Sequence, residues 1–335
     1  MKPCTRVGIE VTGRCNANCV SCFHRWSPEV KARGDKTLAE VLAEAADGQR
    51  RGCDHVVIVG SGEPGIWPHL LDAIREFTRM GLSSSMISNA TLPVSTYEKV
   101  REAGMNHLHL SIHNGFNADI VMGQKGATQR QQAVVEWLGK EKWAWRANMT
   151  IMKGTYDSII GTALKCFNYG CRHIVSLGFL PLYGWAADFD RARQVIVDPK
   201  ESSPYISELA GIMESQEGVT FTIRYAPMCL LPKQYWKYVT NARYVVYDPW
   251  EWEYQSSHLS PEALWTRAKD FGDSVGIQGE PCASCDLQIH CGSYNRTMFA
   301  MFPDMGICAI EDENIPKIPG WLFDQNPATH EKGWY

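Results

Sequence analysis

Three cysteines near the N-terminus, Cys15, Cys19 and Cys22, constrain this chain more than any other feature. They stand in a C-x3-C-x2-C spacing within Thr-Gly-Arg-Cys-Asn-Ala-Asn-Cys-Val-Ser-Cys-Phe, directly after the apolar stretch from Val7 to Val11. Three thiolates on one short loop can wrap a single iron–sulfur cluster. Three protein ligands leave the fourth iron of a cubane open, and an open iron can bind and activate a small molecule. A zinc site usually takes four ligands in two pairs, and no second pair lies nearby. A disulfide framework does not suit a 335-residue chain with no signal peptide.

Composition agrees with a globular chain that can bury a sizeable core: 44% hydrophobic and 21% charged residues, with a formal net charge of −4. No basic run suggests a nucleic-acid footprint. No apolar segment approaches the ~20 residues needed to span a membrane. Twelve cysteines without a secretory signal imply a reducing compartment and metal ligation, so a cytoplasmic location is expected.

From residue 6 to about 178 the chain alternates strand-like and helix-like segments. Strands are expected at Arg6–Val11, Val56–Val59, Ser83–Ser88, His107–Ile112, Ala144–Ile151 and His173–Gly178. Helices are expected from Thr37, as N-cap, to Arg51, then over Pro68–Met80, Ser95–Ala103, Thr128–Lys140 and Tyr156–Tyr169. The β-branched run Val56–Val59 reads as a strand buried on both faces. Repeated β-α units argue for a parallel sheet with right-handed crossovers. Six units are too few for a complete eight-stranded barrel. Beyond them a longer connection holds one more helix, roughly Pro204–Glu217, and regular alternation then fades. In parallel folds of this kind ligands lie beyond the C-terminal ends of the strands. Cys15 to Cys22, Glu63, Asn89, Ser111, His113 and Asn148 all fall there, which points to one shared pocket.

Several of these segments together resemble the radical S-adenosyl-L-methionine (radical SAM) superfamily. The three cysteines match that family's cluster motif, and Phe23 sits where an aromatic residue commonly follows the last cysteine. Gly-Ser-Gly62-Glu63-Pro64 resembles the GGEP-type segment, with its first glycine displaced. Ile87-Ser88-Asn89-Ala90-Thr91 resembles the TNG strand end, with Ala90 in place of glycine. His109-Leu110-Ser111-Ile112 resembles the SID strand, with His113 in place of the acid. The resemblance implies a partial (β/α)6 TIM barrel over residues 1–220. It also implies a [4Fe–4S] cluster on Cys15, Cys19 and Cys22 that binds SAM. Reductive cleavage of SAM would then give a 5′-deoxyadenosyl radical that abstracts a substrate hydrogen. Glu63, with Gly62, would hold the SAM amine, Ser111 and Asn148 its ribose or carboxylate, and Phe23 with Asn89 the adenine side. The electron would come from a flavodoxin- or ferredoxin-type donor.

A second cysteine group, Cys282-x2-Cys285-x5-Cys291 followed by Cys308, lies in a loop-rich C-terminal region. By itself the pair of cysteines in C-x2-C suits zinc, and all four suit an iron–sulfur cluster. Beside the N-terminal motif, the group resembles the SPASM/Twitch extensions that hold auxiliary [4Fe–4S] clusters. One position usually occupied by a further cysteine is Asn295, so the resemblance implies one auxiliary cluster in a domain over residues 221–335. Cys229 has three readings: a remnant or ligand of a lost cluster site, a buried small hydrophobe, or a hydrogen donor that returns an atom to a substrate radical. Cys53, Cys166 and Cys171 read as core, and Cys4 has no assigned role. The aromatics between Tyr235 and Tyr254 read as a substrate groove or as irregular packing. No general base is assigned among His24, His109 and His113; Arg25 also lies near the expected pocket. Arg146 reads as a carboxylate partner or as a solvated residue at a strand edge.

The SPASM-type resemblance implies a peptide or protein substrate that undergoes oxidation, cross-linking or epimerisation. With strand one starting by residue 6, no N-terminal peptide-recognition domain is expected. A small-molecule dehydrogenase or epimerase acting on a sugar or aminocyclitol is the second reading. A metal-binding scaffold without catalysis is a third.

Overall fold

In the computed structural model, the described residues are 6–22, 34–113, 117–178, 189–224, 226–240, 251–253, 276–277, 280–287, 291 and 294–314. Six β/α units open the chain. Strands β1 (Arg6–Glu10), β2 (His55–Val59), β3 (Ser83–Ser88), β4 (His107–Ser111), β5 (Trp145–Ile151) and β6 (His173–Gly178) alternate with helices. Those helices are α1 (Leu38–Arg50), α2 (Leu70–Arg79), α3 (Val94–Glu102), the short α4 (Ala118–Val121), α5 (Ala127–Glu141) and α6 (Ile159–Asn168). Each strand pairs in parallel with the next, from β1 with β2 to β5 with β6. The sheet is open, as a partial TIM barrel requires.

Alternation continues further than the sequence suggests. After α7 (Phe189–Val195) and α8 (Pro199–Glu214), a seventh strand β7 (Thr220–Arg224) pairs in parallel with β6. Two short strands follow. β8 (Val239–Thr240) extends the β7 edge, and β9 (Glu251–Glu253) lies beside β1. The sheet thus has nine strands in the order β8-β7-β6-β5-β4-β3-β2-β1-β9. Helix α8 begins at Pro199, five residues before the expected start, because Asp198 caps it. The Asp198 carboxylate accepts from Lys200 N at 2.8 Å and Pro199 occupies the first turn, where a missing N–H costs nothing. Beyond the sheet, β10 (Gly276–Ile277) and β11 (Tyr294–Asn295) form an antiparallel pair, followed by α9 (Arg296–Met301).

The two faces of the strands differ in chemistry. Val7, Ile9, Val56, Ile58, Met86, Leu108, Leu110, Ala147, Met149, Ile174 and Ile223 join one hydrophobic core with Ile74, Phe77, Val100, Val134 and Leu138 from the covering helices. Many residues that alternate with them are polar or basic: His55, Ser85, His107, His109, Arg146, Asn148, His173 and Thr222, all buried. Arg146 therefore stands on a central strand at 7% exposure, which corrects its reading as a solvated strand-edge residue. Burial there is tolerated because the inner face is itself polar. His55 hydrogen-bonds Ser83 and Ser85 Oγ at 2.7 and 2.8 Å, and His107 Nε2 lies 2.7 Å from His109 Nε2. His109 is held neutral, its pKa driven well below the ordinary value by burial and then by Arg146, His107, Arg6 and His55.

Cys53, Cys166 and Cys171 are buried, as expected. Of the C-terminal aromatics, Trp236 is buried and its Nε1–H donates to Met228 O and Leu231 O. Tyr235 and Tyr238 pack against the core. The side chains from Tyr244 to Tyr254 lie outside the described residues, as do Cys4, Phe23, His24 and Arg25. Among the described residues no helix is long and apolar enough to cross a membrane.

The start of α1 is set by a capping box: Glu40 N–H donates to Thr37 Oγ1 at 3.3 Å and Thr37 N–H to Glu40 Oε2 at 2.7 Å. We expect Thr37→Ala to cost about 1 kcal/mol of stability, read as a lower urea midpoint with an unchanged m-value.

Candidate active site

The cysteine loop leaves β1 and is held from three sides. Its base is closed by Arg14, whose Nε and Nη2 donate to the two oxygens of Asp35 at 2.9 and 2.6 Å. Thr12 Oγ1 donates to the same carboxylate at 2.6 Å, which stays ionised because these bonds hold its pKa below the usual range. A second side is the loop after β2. Gly62 N–H donates to Thr12 O at 3.1 Å and Glu63 N–H to Arg14 O at 2.8 Å. The backbones approach so closely that a Cβ on Gly62 would lie 1.8 Å from the Arg14 carbonyl oxygen. Only glycine fits there. The third side is α4 and its end: Asn18 and Val20 N–H donate to Met122 O and Val121 O, and Cys19 packs against Ala118, Met122 and Ala127.

The loops after β2, β3 and β4 are tied to this one. Glu63 is buried, and its carboxylate accepts from Asn89 N–H at 2.8 Å, Gly65 N–H at 3.0 Å and Ser88 Oγ at 2.9 Å. Burial pushes its pKa up, and these donors oppose the shift. The Asn89 amide donates to Asn16 Oδ1 at 2.8 Å, and Asn16 Nδ2 donates on to Thr91 Oγ1 at 3.0 Å. Gln131 of α5 closes the ring, donating from Nε2 to Asn89 O and Ser111 O at 2.8 and 2.9 Å. The signal for Gln131 in the sequence was nil, since it lies mid-helix among residues of the same type. Ala90 takes a left-handed conformation with φ 56°. The glycine-like geometry of the turn therefore survives a side chain, at a cost of about 1–2 kcal/mol.

Ser111 and Asn148 are register partners on β4 and β5. The side-chain Oδ1 of Asn148 is buried and meets no hydrogen-bond partner among the described residues. A buried polar atom left bare is an acceptor open to a ligand. His113, next along the β4 exit, accepts from Thr150 N–H at Nδ1 at 3.1 Å. That bond fixes the neutral tautomer with its proton on Nε2. Burial lowers the His113 pKa to about 4.

Cys15, Cys19 and Cys22 act on one another electrostatically, and Cys15 and Cys19 lie within range of Glu63. Burial raises the Cys15 thiol, and Cys19 is pushed up to about 12 by burial and then by Cys22 and Cys15. Ala17 N–H already donates to Cys15 Sγ at 3.4 Å, as amides do to cluster thiolates. Among the described residues no three His, Cys, Asp or Glu side chains close tightly enough to grip a single ion. A cubane spaces its thiolates across several irons and asks for a wider frame. Three adjacent thiols and an unpartnered acceptor at Asn148 fit a cluster with an additional ligand on its open iron.

Comparison with known proteins agrees. The family model described as the radical SAM superfamily matches residues 9–185. The chain belongs to the radical SAM superfamily. Among curated proteins, it is 32% identical over 163 residues to an AdoMet-dependent heme synthase of Methanosarcina barkeri, covering 47% of this chain and 45% of that protein. It is 28% identical over 178 residues to a probable GTP 3′,8-cyclase of Pyrococcus horikoshii, covering 49% and 52%. The chain thus spans about half the length of these curated relatives. Among solved structures, Streptococcus suis SuiB bound to S-adenosylmethionine superposes with a TM-score of 0.63 at 13% identity, over 92% of this chain and 76% of that one. Native anSMEcpe with bound AdoMet superposes with a TM-score of 0.59 at 13% identity, over 99% and 98%. These likenesses confirm the partial-barrel fold. As a radical SAM protein, the chain is expected to carry a [4Fe–4S] cluster and SAM.

Two expectations follow. Gly62→Ala should keep the far-ultraviolet circular dichroism of the sheet while losing the iron bound by Cys15, Cys19 and Cys22, because the added methyl displaces Arg14 at the loop base. In the wild type, an unfolded-state histidine near 6.5 binds a proton that folded His113 refuses until about 4. His113 thus adds stability above 6.5 that is lost as pH falls toward 4. His113→Asn should lose less stability across that window, measured by urea midpoints at pH 7 and pH 4.5.

Proposed function

We propose that this radical SAM enzyme modifies a peptide or protein, by oxidation, cross-linking or epimerisation, with an auxiliary [4Fe–4S] cluster in its C-terminal region. One observation carries the reading: Cys282, Cys285, Cys291 and Cys308, distant in sequence from the SAM motif, gather with Cys229 into a second thiol group just beyond β7. Support comes from the fold likeness to SuiB, one of whose structures is bound to the precursor peptide SuiA and covers 93% of this chain at a TM-score of 0.62.

In this reading Cys15, Cys19 and Cys22 would hold the cluster that binds SAM. When bound, cluster and SAM supply a 5′-deoxyadenosyl radical that removes a hydrogen atom from the substrate. The remaining work belongs to the chain. Asn148 Oδ1 offers its bare acceptor to a SAM hydroxyl or amine, with Ser111 beside it. Glu63 supports the SAM amine through its backbone segment, because its carboxylate already braces Asn89, Gly65 and Ser88. Asn89 likewise positions the cysteine loop through Asn16 and would lie on the adenine side; Phe23, assigned to the same side, lies outside the described residues. The electron arrives from a flavodoxin- or ferredoxin-type donor. The second reading, a small-molecule substrate, is favoured by the heme synthase and cyclase relatives.

The test is anaerobic turnover with a chemical reductant. Formation of 5′-deoxyadenosine and methionine, absent in Cys15→Ala, is expected. No SAM cleavage by the iron-loaded wild type would leave only a metal-binding scaffold. A peptide encoded beside the gene should lose a hydrogen pair, or gain deuterium from heavy water, by mass spectrometry. Turnover only with a sugar or aminocyclitol would select the second reading.

A further inference from the structure

We infer that the surface formed by Val20 and Ile120, beside Cys19, is where a flavodoxin-type electron donor docks. The inference rests on the SAM-cleaving reading above, which needs one electron for each SAM cleaved, and it names where that electron enters. Electron transfer between proteins falls off steeply with distance. A donor must therefore bring its cofactor to a surface close to the cysteine loop.

The described residues leave three large hydrophobic side chains exposed, and two of them stand here. Val20 is 43% exposed and Ile120 70%; the third, Leu164, lies elsewhere on α6. Scattered singly such residues need no explanation, whereas neighbouring ones mark an interaction surface. Two main-chain hydrogen bonds make these two neighbours: Asn18 N–H donates to Met122 O at 2.7 Å and Val20 N–H to Val121 O at 3.0 Å. The two segments press together at Gly123, which takes φ 55° and where a Cβ would lie 2.7 Å from Asn18 O. Cys19 stands between the two paired residues. Its side chain packs against Ala118 and Met122, two positions to either side of Ile120. The apolar surface and a cluster thiol thus belong to one small, firmly held unit.

Charge agrees with an acidic partner. The chain as a whole carries −4, so an acidic donor is repelled unless a local region reverses the sign. Residues 12 to 22 contain no acid, and between residues 117 and 132 the one acid is Asp119. Its carboxylate is drawn toward the start of α5, accepting from Gly126 N–H and Thr128 N–H at 2.7 Å each. Lys125 is exposed, and Arg130 Nη2 donates to Lys125 O at 3.0 Å, which holds a second cation beside it. An apolar centre with a charged rim is the form of a small transient redox interface. Two exposed aliphatic side chains are too few for a stable dimer and suit a partner that binds, transfers and leaves.

The apolar centre also selects among donors. A flavin presents the flat hydrocarbon edge of its ring at the donor's surface, and aliphatic side chains such as Val20 and Ile120 can cover that edge. An iron–sulfur carrier shields its cluster behind a loop of main-chain amides, to which aliphatic side chains offer no partner. One electron passes from the donor's reduced flavin to the cluster held by Cys15, Cys19 and Cys22. No bond forms between the two proteins, and the donor leaves oxidised by one electron.

The experiment uses full-length, iron-loaded protein with SAM and follows 5′-deoxyadenosine under anaerobic conditions. The reductant is either dithionite, a small ion that needs no docking surface, or purified flavodoxin kept reduced. Ile120→Glu, Ile120→Leu and Lys125→Glu are compared with the wild type at low and high salt, with circular dichroism, iron content and gel filtration as controls. Ile120→Glu should raise the KM for flavodoxin about tenfold, Lys125→Glu should raise it by a smaller factor, and Ile120→Leu should leave it unchanged. Rates with dithionite should be the same in all three variants as in the wild type. Salt should slow the wild type with flavodoxin and not with dithionite. An Ile120→Glu variant with the wild-type KM for flavodoxin overturns the inference, as does one that loses rate equally with dithionite. Wild-type cleavage with dithionite and none with flavodoxin overturns it too. So does a wild-type dimer that Ile120→Glu splits, since the face would then join two copies of this chain. No cleavage by the wild type even with dithionite overturns the SAM-cleaving reading itself, a separate failure.

Discussion

The close approach of two backbones, Gly62–Glu63 against Thr12–Arg14, is the contact on which the rest of this site depends. It joins the C-terminal ends of β1 and β2 directly, main chain to main chain, immediately before Cys15. Without a side chain at position 62 the two loops can hydrogen-bond. With one they cannot. Everything that follows, from the placement of the three thiols to the spacing between them and Glu63, is referred to that junction.

The residues around it divide into those that build and those that wait. Glu63, Asn89, Asn16, Thr91 and Gln131 form a closed set of hydrogen bonds across four loops, with donors and acceptors matched. Such satisfied buried networks rigidify a site. Asn148 is the exception, with a buried oxygen that nothing in the described chain meets. The contrast separates scaffold from binding surface more sharply than residue type does, since Glu63 and Asn89 carry the chemistry usually associated with ligand contact yet serve as braces.

Much of this was legible in sequence. The six strands from Arg6 to Gly178 fall within about one residue of their expected positions, because a continuous β-branched run such as Val56–Val59 has few alternatives in a covered parallel sheet. The helix start at Thr37 was likewise marked by a local cap. The seventh strand was not. Thr220–Arg224 alternates polar and apolar residues, TFTIR, and its polar members face the inner side of the sheet, where Arg146 and the histidines also lie. A rule that expects an apolar interior misses such a strand and misplaces Arg146 as well. The Cys229 location was also invisible. More than fifty residues separate it from Cys282, and no local pattern reports a contact made by the chain returning past the barrel edge.

The sequence by itself determined the chemistry: three thiols at C-x3-C-x2-C, a second cysteine set after the barrel, and the order of the β/α units. These are local facts, set by spacing and by periodicity along the chain. Tertiary structure decided how those groups are used. It placed Glu63 and Asn89 in bracing roles, left Asn148 open, turned a basic face of the strands inward and brought Cys229 among the C-terminal cysteines. Each of those outcomes depends on which atoms meet across distant segments. Hydrogen-bond saturation and exclusion of water arise only once the segments have packed.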